Sequence, residues 1–279
     1  MFKKKIKQEI DQMSLSELVA YSNEMNKPSG GIKTIHTIIR NAFITQKSTI
    51  LEIGCNTGYS SIEIKRLTGA NVYGIDTIKR SIKLARQNAE RTGLKIKFSI
   101  ADATKLKFKD ESFDVVFCSN VTSFIKNKEL AIANYKRVLK KYGFLVAVPI
   151  YYLHKPPASM LKKVSKELNA QIKYYTKKEW VKIFEDESLE LCYLEDYIYK
   201  TNTPDEIDAY IKNVILKSPV LIHAPNDVKK AIYNKYFKQL MIFNENLKYT
   251  GFFISIYRKI PLDYQKELFP SIPLVHKWK

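Results

Sequence analysis

A short apolar run, Ile50, Leu51 and Ile53, leads directly into Gly54-Cys-Asn-Thr-Gly58. Gly54 and Gly58 let the backbone turn sharply and approach a ligand closely. In an open parallel sheet, ligands bind at the carboxyl ends of the strands, where the strand order reverses. Glu52 stands inside the apolar run, where a carboxylate must be satisfied or lie beside a site. A second acid, Asp76, ends Val-Tyr-Gly-Ile-Asp about 20 residues beyond the glycine turn, where a carboxylate can accept from both hydroxyls of a ribose. A third, Asp102 in Ile-Ala-Asp-Ala-Thr, can accept from the exocyclic amine of an adenine. Structural roles fit the same positions: Asp76 can cap the next helix, and Asp102 can close a turn on its own backbone. The loop is neither a G-x-G-x-x-G fingerprint, since position 56 is Asn and no third glycine follows, nor a Walker loop, since no Gly-Lys-Ser/Thr follows.

The elements around these residues must hold the loop and both acids at one sheet edge. Strands are expected at 49–53, 71–75, 96–100, 113–119 and 144–148. Helices alternate with them at 59–68, 78–92 and 128–140, the last stopped by Tyr142-Gly143. This alternation predicts a parallel sheet covered by helices on both faces. Before it, Ser14 and Glu17 form a capping box for a helix reaching about Met25. Lys27-Pro-Ser-Gly-Gly31 breaks the chain, and isoleucines at helical spacing predict a helix over 32–43. His36 lies on that helix and reads as structural. After Pro149 the rhythm changes: helices at 158–169 and 177–186, a strand at 189–199, two helical stretches over 204–246 broken near Ser218-Pro219 and Ala224-Pro225, and a last strand at 252–257. His223, beside the second break, receives no role.

The chain has 279 residues and a formal net charge of +19, which suits an anionic partner. Of its 47 basic residues only seven are Arg, the side chain best shaped to grip phosphates and base edges, and the lysines run from end to end. A small-molecule partner therefore ranks ahead of nucleic acid. Cys55, Cys118 and Cys192 form no disulfide framework and no metal-ligand spacing. The basic start lacks a signal peptide's apolar run, and no stretch is apolar enough to span a membrane. A cytoplasmic protein is the expectation.

Taken together, Glu-Ile-Gly-Cys-Asn-Thr-Gly, Gly-Ile-Asp76, Ala-Asp102-Ala, Phe113-Asp-Val-Val and Lys140-Lys-Tyr-Gly-Phe-Leu resemble the class I S-adenosylmethionine-dependent methyltransferases, in particular the ubiquinone/menaquinone-type branch that acts on small molecules. The resemblance covers about residues 28–200. It implies an α/β, Rossmann-like sheet of seven strands in the order 3-2-1-4-5-7-6, with strand 7 antiparallel and helical lid insertions. It implies an N-terminal helical lid (1–45), a cofactor-binding core (46–149, 176–200 and 250–259), substrate-lid insertions (150–175 and 201–249) and a C-terminal tail (260–279). By position, Gly54, Cys55, Asn56 and Gly58 should pass under the methionine part of S-adenosylmethionine, with Glu52 supporting the loop. Asp76 should hold the ribose with Thr77 and Ile78 beside the adenine, and Asp102 and Ala103 should meet the adenine edge. Asn120 and Val121 should sit by the sulfonium, and Tyr21 and Gly31 lie where the family places its lid. Asn56 replaces the commoner glycine, a mild departure because Asn also tolerates unusual backbone angles.

Methyl transfer is chiefly a matter of orientation, so no obligatory catalytic residue stands out. Asn120, Tyr151 and His154 are the candidates, with Tyr151, Tyr152 and His154 as the substrate-facing wall. The aromatic residues at 174–175, 193–199 and 233–243 read as core. Ser119-Asn-Val-Thr-Ser-Phe124 lacks the Asn/Asp-Pro-Pro-aromatic motif of enzymes that methylate base amines. Transfer to a small molecule through O, N or C is the leading expectation. An RNA methyltransferase and a non-catalytic binder of the cofactor are the alternatives.

Overall fold

The computed structural model describes residues 2–261; most of the expected C-terminal tail, 262–279, lies outside the described residues. The chain opens with α1 (Phe2–Gln12), α2 (Leu15–Tyr21) and α3 (Ile32–Asn41). The capping box on α2 forms as expected: Ser14 Oγ accepts from Glu17 N, and the Glu17 carboxylate accepts from Ser14 N at 2.8 Å. This helix stops at Tyr21 rather than Met25, and Asn23 just beyond it takes a left-handed backbone, φ 49°. The first helix is not announced by periodicity. It is held by burial, with Ile10 fully buried against the cluster of Leu18, Ile211 and Ile232.

Next come β1 (Thr49–Ile53), α4 (Tyr59–Thr68), β2 (Asn71–Asp76), α5 (Lys79–Arg91), β3 (Lys97–Ile100), β4 (Phe113–Ser119), α6 (Lys128–Val138) and β5 (Leu139–Val148). One boundary differs from expectation. Tyr142-Gly143 lies inside β5 rather than at a helix stop, where the β4–β5 register shifts between Phe113 and Val115. Tyr142 has φ 62°, and a side chain at Gly143 would meet Asp114 O at 2.9 Å, so both mark a strand irregularity. The chain then forms β6 (Ile150–Tyr152), α7 (Ala158–Leu168), α8 (Lys177–Phe184), β7 (Leu189–Ile198), α9 (Pro204–Lys217), α10 (Asn226–Leu247) and β8 (Thr250–Lys259), with the break between α9 and α10 where the prolines put it.

The sheet runs β3-β2-β1-β4-β5-β8, with β7 on the outer side of β8. Strands β1 to β5 pair in parallel, and β8 is antiparallel to its neighbours β5 and β7. Seven strands thus follow the expected order, β7 and β8 taking the sixth and seventh places. The unforeseen eighth strand, β6, continues beyond Pro149 and pairs with the start of β8, Ile150 opposite Phe252 and Tyr152 opposite Thr250. Order reverses between β1 and β4, so the crevice opens at the carboxyl ends of those strands.

Isoleucines of α3 and α4 cover one sheet face, where Ile35, Ile38 and Ile64 pack on Ile50, Val115 and Val146. On the other face Tyr135 of α6 and Trp180 and Phe184 of α8 pack on Leu51, Val116 and Leu145. A separate cluster joins α1, α2, α9 and α10 above the crevice. It is tied to α7 through buried Glu167, whose Oε2 accepts from Lys235 Nζ at 3.0 Å. Lys235 Nζ also donates to Asp11 O at 3.0 Å, and Gln239 Nε2 to Met13 O at 3.0 Å, which fixes the α1–α2 link on α10.

Candidate active site

The turn after β1 is built by backbone. Gly54 N and Cys55 N both donate to Ile75 O, at 2.8 and 2.9 Å, which locks the loop to the tip of β2. Gly54 has φ 72°, and a Cβ there would stand 2.6 Å from Val121 Cγ2. A bare backbone is therefore required between the sheet tip and the turn after β4. Gly54→Ala should lower stability by about 1–2 kcal/mol from the left-handed backbone alone, with the Val121 contact adding to it. A loss within about 1–2 kcal/mol in chemical denaturation would show that Val121 yields, and wild-type stability would show that the loop abandons its left-handed backbone at position 54 as well.

Asp76 is held by the same turn: Oδ2 accepts from Asn56 N at 2.9 Å and Oδ1 from Ile78 N at 2.8 Å. Each oxygen of an ionised carboxylate can accept more than one hydrogen bond, so the two amides orient the group and leave capacity for a ligand. Burial raises its pKa, partly offset by these amides. Asp102 spends Oδ1 on Thr104 N and Oγ1, both at 2.8 Å. The Thr104 bonds lower its pKa, so it is ionised at neutral pH. The binding and the structural readings of both acids are thus compatible at the level of atoms.

Gly54, Asp76, Thr77, Asp102, Ala103 and Val121 come together on a cavity of about 400 Å³ at the crevice. The other expected residues lie elsewhere. Cys55 is buried against Ile62, Ala85 and Phe98, behind the turn. Gly58 starts α4 with φ 89°, and a Cβ there would press on Phe98 and Ala85 at 3.0 and 3.1 Å, so it serves packing. Ile78 contributes its amide to Asp76. Glu52 is buried beneath the loop and accepts from Ser61 Oγ in the first turn of α4. Tyr21 lies under the Arg80 guanidinium, 4.6 Å from the ring centre, and Gly31 opens α3. Neither lines the cavity.

Among the described residues eight buried side-chain polar atoms lack a hydrogen-bond partner, and three of them, Asn56 Oδ1, Asn23 Oδ1 and Ser22 Oγ, flank the loop after β1, although none of these residues lines the cavity. They belong to two segments in contact, since Thr57 Oγ1 donates to Glu24 O at 2.7 Å and accepts from Asn26 N at 3.2 Å. Glu24 in turn accepts from Tyr210 OH and, at 2.8 Å, from Tyr236 OH, which joins this strap to α9 and α10. Unpartnered buried oxygens carry a desolvation penalty that a polar ligand can relieve. Beside them stand the bare backbone of Gly54 and two carboxylates on successive strand tips. The residues present therefore fit S-adenosylmethionine.

A second cavity of about 250 Å³ abuts the first, and Phe124 lines both. Its walls are mostly apolar and include Tyr152, Tyr175, Trp180 and Phe243, with Asn120 at the end of β4. Asn120 has a left-handed backbone, φ 54°, and its Oδ1 accepts from Ser123 Oγ at 3.0 Å. The wall expected from the sequence is corrected in three places. Tyr152 lines the cavity, but Tyr151 is turned into the core beside Phe253, because neighbours on a strand face opposite sides. His154 is exposed, with Tyr249 beside it, and lines neither cavity. Tyr175 and Phe243, read as core, are wall residues. Trp180 donates its Nε1–H to Ile150 O at 3.0 Å, satisfying its polar atom while its ring faces the cavity.

A doubly wound sheet with an antiparallel strand β8 and acids at the tips of β2 and β3 has the Rossmann-like class I methyltransferase architecture. The chain belongs to the methyltransferase-domain family, whose model matches residues 44–188, more than half of its length. It is 32% identical over 161 residues to an uncharacterized protein of Haemophilus influenzae, 56% of this chain and 64% of that one. It is 31% identical over 149 residues to a ubiquinone biosynthesis O-methyltransferase of Actinobacillus pleuropneumoniae, 49% of this chain and 63% of that one. The chain thus spans less than two thirds of the length of these relatives. The crystal structure of MccD protein superposes with a TM-score of 0.71 at 26% identity, covering 84% of this chain and 99% of that one.

Proposed function

We propose that the protein transfers a methyl group from S-adenosylmethionine to a small, largely apolar acceptor. The observation that carries this is the aromatic cavity joined to the nucleoside-type cavity at Phe124. An open basic groove would favour a polymer, whereas this cavity has a single charged wall residue among the described residues. In this reading Gly54, Asp76, Thr77, Asp102, Ala103 and Val121 hold the cofactor, with Asn56 and the 22–26 strap at its methionine end. Bound there, the cofactor supplies an electrophilic methyl on a sulfonium.

The chain's own residues supply orientation. Asp76, fixed by two amides, sets the depth of the nucleoside. Phe124, 39% exposed although aromatic, forms the shared wall between the two cavities. Among the described residues the lining of the acceptor cavity has neither a carboxylate nor an imidazole, so the main contribution is alignment and exclusion of water. Residues 1–45, 150–175 and 201–249 act as lids over a core of 46–149, 176–200 and 250–259. Among the described residues no helix is long and apolar enough to cross a membrane. The free thiols of Cys55, Cys118 and Cys192 suit the reducing cytoplasm, where this reading places the enzyme.

Calorimetry with S-adenosylhomocysteine should give saturable binding, and no binding at millimolar ligand would sink the cofactor assignment. Radiolabelled S-adenosylmethionine with a metabolite extract should label a small molecule. Label appearing in RNA instead would move the acceptor to a polymer.

A further inference from the structure

Among the described residues the acceptor cavity has one charge in its wall, Lys173, an exposed residue. Lys173 lies on the connection between α7 and α8, and the backbone on either side of it is fixed. Ile172 N donates to Ser165 Oγ at 3.0 Å, and Tyr175 O accepts from Tyr152 N at 2.8 Å. Lys173 makes no ion pair among the described residues, whereas Lys136, Lys140, Lys177 and Lys235 each have a carboxylate. A second ammonium lies outside the cavity lining but near Tyr175, a residue shared by this cavity and a neighbouring groove. Lys128 Nζ stands 5.6 Å from the centre of the Tyr175 ring and donates to Ile125 O at 2.8 Å. Its pKa is lowered, first by burial and then by the charge of Lys173, so the two cations act on each other. Glu129, next along α6, partly offsets this, but it lines a separate groove with Lys136 and Lys182 rather than this cavity.

One lysine in the wall and a second beside the Tyr175 ring, with no acid in the lining among the described residues, give the cavity a positive potential that attracts an anion. Buried Asn246 also lines the cavity, with its Oδ1 accepting from Tyr152 OH at 3.4 Å, which leaves its amide N–H groups to donate. We propose that the acceptor is a compact, ring-sized body carrying an anionic group, which Lys173 holds at the cavity with the charge of Lys128 nearby adding to the attraction. The other end of the acceptor is presented past Asn120 and Phe124 to the cofactor cavity. Its size follows from the 250 Å³ available, below the usual span of drug-sized pockets. This rests on the acceptor role proposed above for the cavity.

The test uses the full chain saturated with S-adenosylhomocysteine and three probes of one shape: 2-naphthoate, 2-naphthyl phosphate and neutral 2-naphthamide. Quenching of Trp180 fluorescence and calorimetry report binding. At least one anion should bind about tenfold tighter than the amide, the scale of a charged hydrogen bond, and the stronger of the two identifies the group as carboxylate or phosphate. Lys173→Gln should bring that preference to within about threefold and Lys173→Glu should invert it, while affinity for S-adenosylhomocysteine stays at the wild-type value in both. Equal binding of all three probes, binding of none, or an undiminished preference in Lys173→Gln would each overturn the proposal. Failure of S-adenosylhomocysteine to bind sinks the methyl-transfer reading instead, and the same three titrations without it still decide the anion preference.

Discussion

Asp76→Ala should weaken S-adenosylhomocysteine binding by about a hundredfold, the largest effect expected of any single substitution in the cavity. A charge-assisted hydrogen bond contributes about 1.5–3 kcal/mol, and a ribose offers two hydroxyls to this carboxylate. The truncation also releases Asn56 N and Ile78 N, the two donors that Asp76 accepts from. Asn56 belongs to the turn that carries Gly54, so loss of the side chain disturbs the loop as well as the ribose contact. Asp102→Ala removes one contact and a local turn on Thr104, and should cost about tenfold. Asp76→Asn separates the two effects, because it keeps an acceptor for one amide while losing the charge. It should fall between wild type and Asp76→Ala. Calorimetry on samples matched for folded fraction decides the matter. Equal affinities for wild type and Asp76→Ala would show that the ribose is bound elsewhere.

The parts of this site legible in the sequence are those decided within a few residues of the chain. Gly54 needs a left-handed backbone, and Asp76 and Asp102 follow directly on strands, so strand, turn and acid can be read together. Contacts between distant segments are not encoded that way. Cys55 is one residue from Gly54 yet faces Ile62 and Phe98, because the turn rotates its side chain under the sheet edge. Tyr151 and Tyr152 look equivalent in sequence, but strand β6 was invisible behind Pro149, and with it the alternation that sends only Tyr152 to the cavity. Phe243 on α10, Lys173 before α8 and Trp180 on α8 meet Asn120 only through the packing of α7, α8 and α10 against the strand ends. Their aromatic and basic character gave no signal separable from core and surface. Order of the sheet was legible because each β-α-β unit has a fixed hand and the apolar runs are short.

Glu52→Gln should leave stability unchanged near pH 4 and raise it near pH 8. Glu52 is fully enclosed between β1 and the first turn of α4, and burial pushes its pKa up to about 7 from an ordinary 4.5. Hydrogen bonds from Ser61 and Ser60 oppose the shift, and the Asp76 charge adds to it, but desolvation wins. The native state therefore holds the proton more tightly than the unfolded chain. Stability from this group is fully present below about pH 4.5 and is lost as pH rises through about 7, because ionisation then forces a charge into an apolar site. At ~1.4 kcal/mol per pKa unit, the loss at pH 8 is about 3 kcal/mol, an order-of-magnitude figure. Glutamine has the shape of the protonated acid and can still accept from Ser61, so it should escape that loss. Thermal unfolding should show coincident midpoints at pH 4 and a midpoint several degrees higher for the variant at pH 8, at about 2–4 °C per kcal/mol for a chain of this size. A variant less stable than wild type at pH 8 would mean that Glu52 is ionised in the native protein and that the partial positive charge at the start of α4 outweighs its burial. The hydrogen bonds from Ser61 and Ser60 tie the Glu52 carboxyl to the start of α4, and that helix follows Gly58, the end of the loop on which Gly54 and Asn56 are carried, so the same substitution tests whether this buried acid supports the loop.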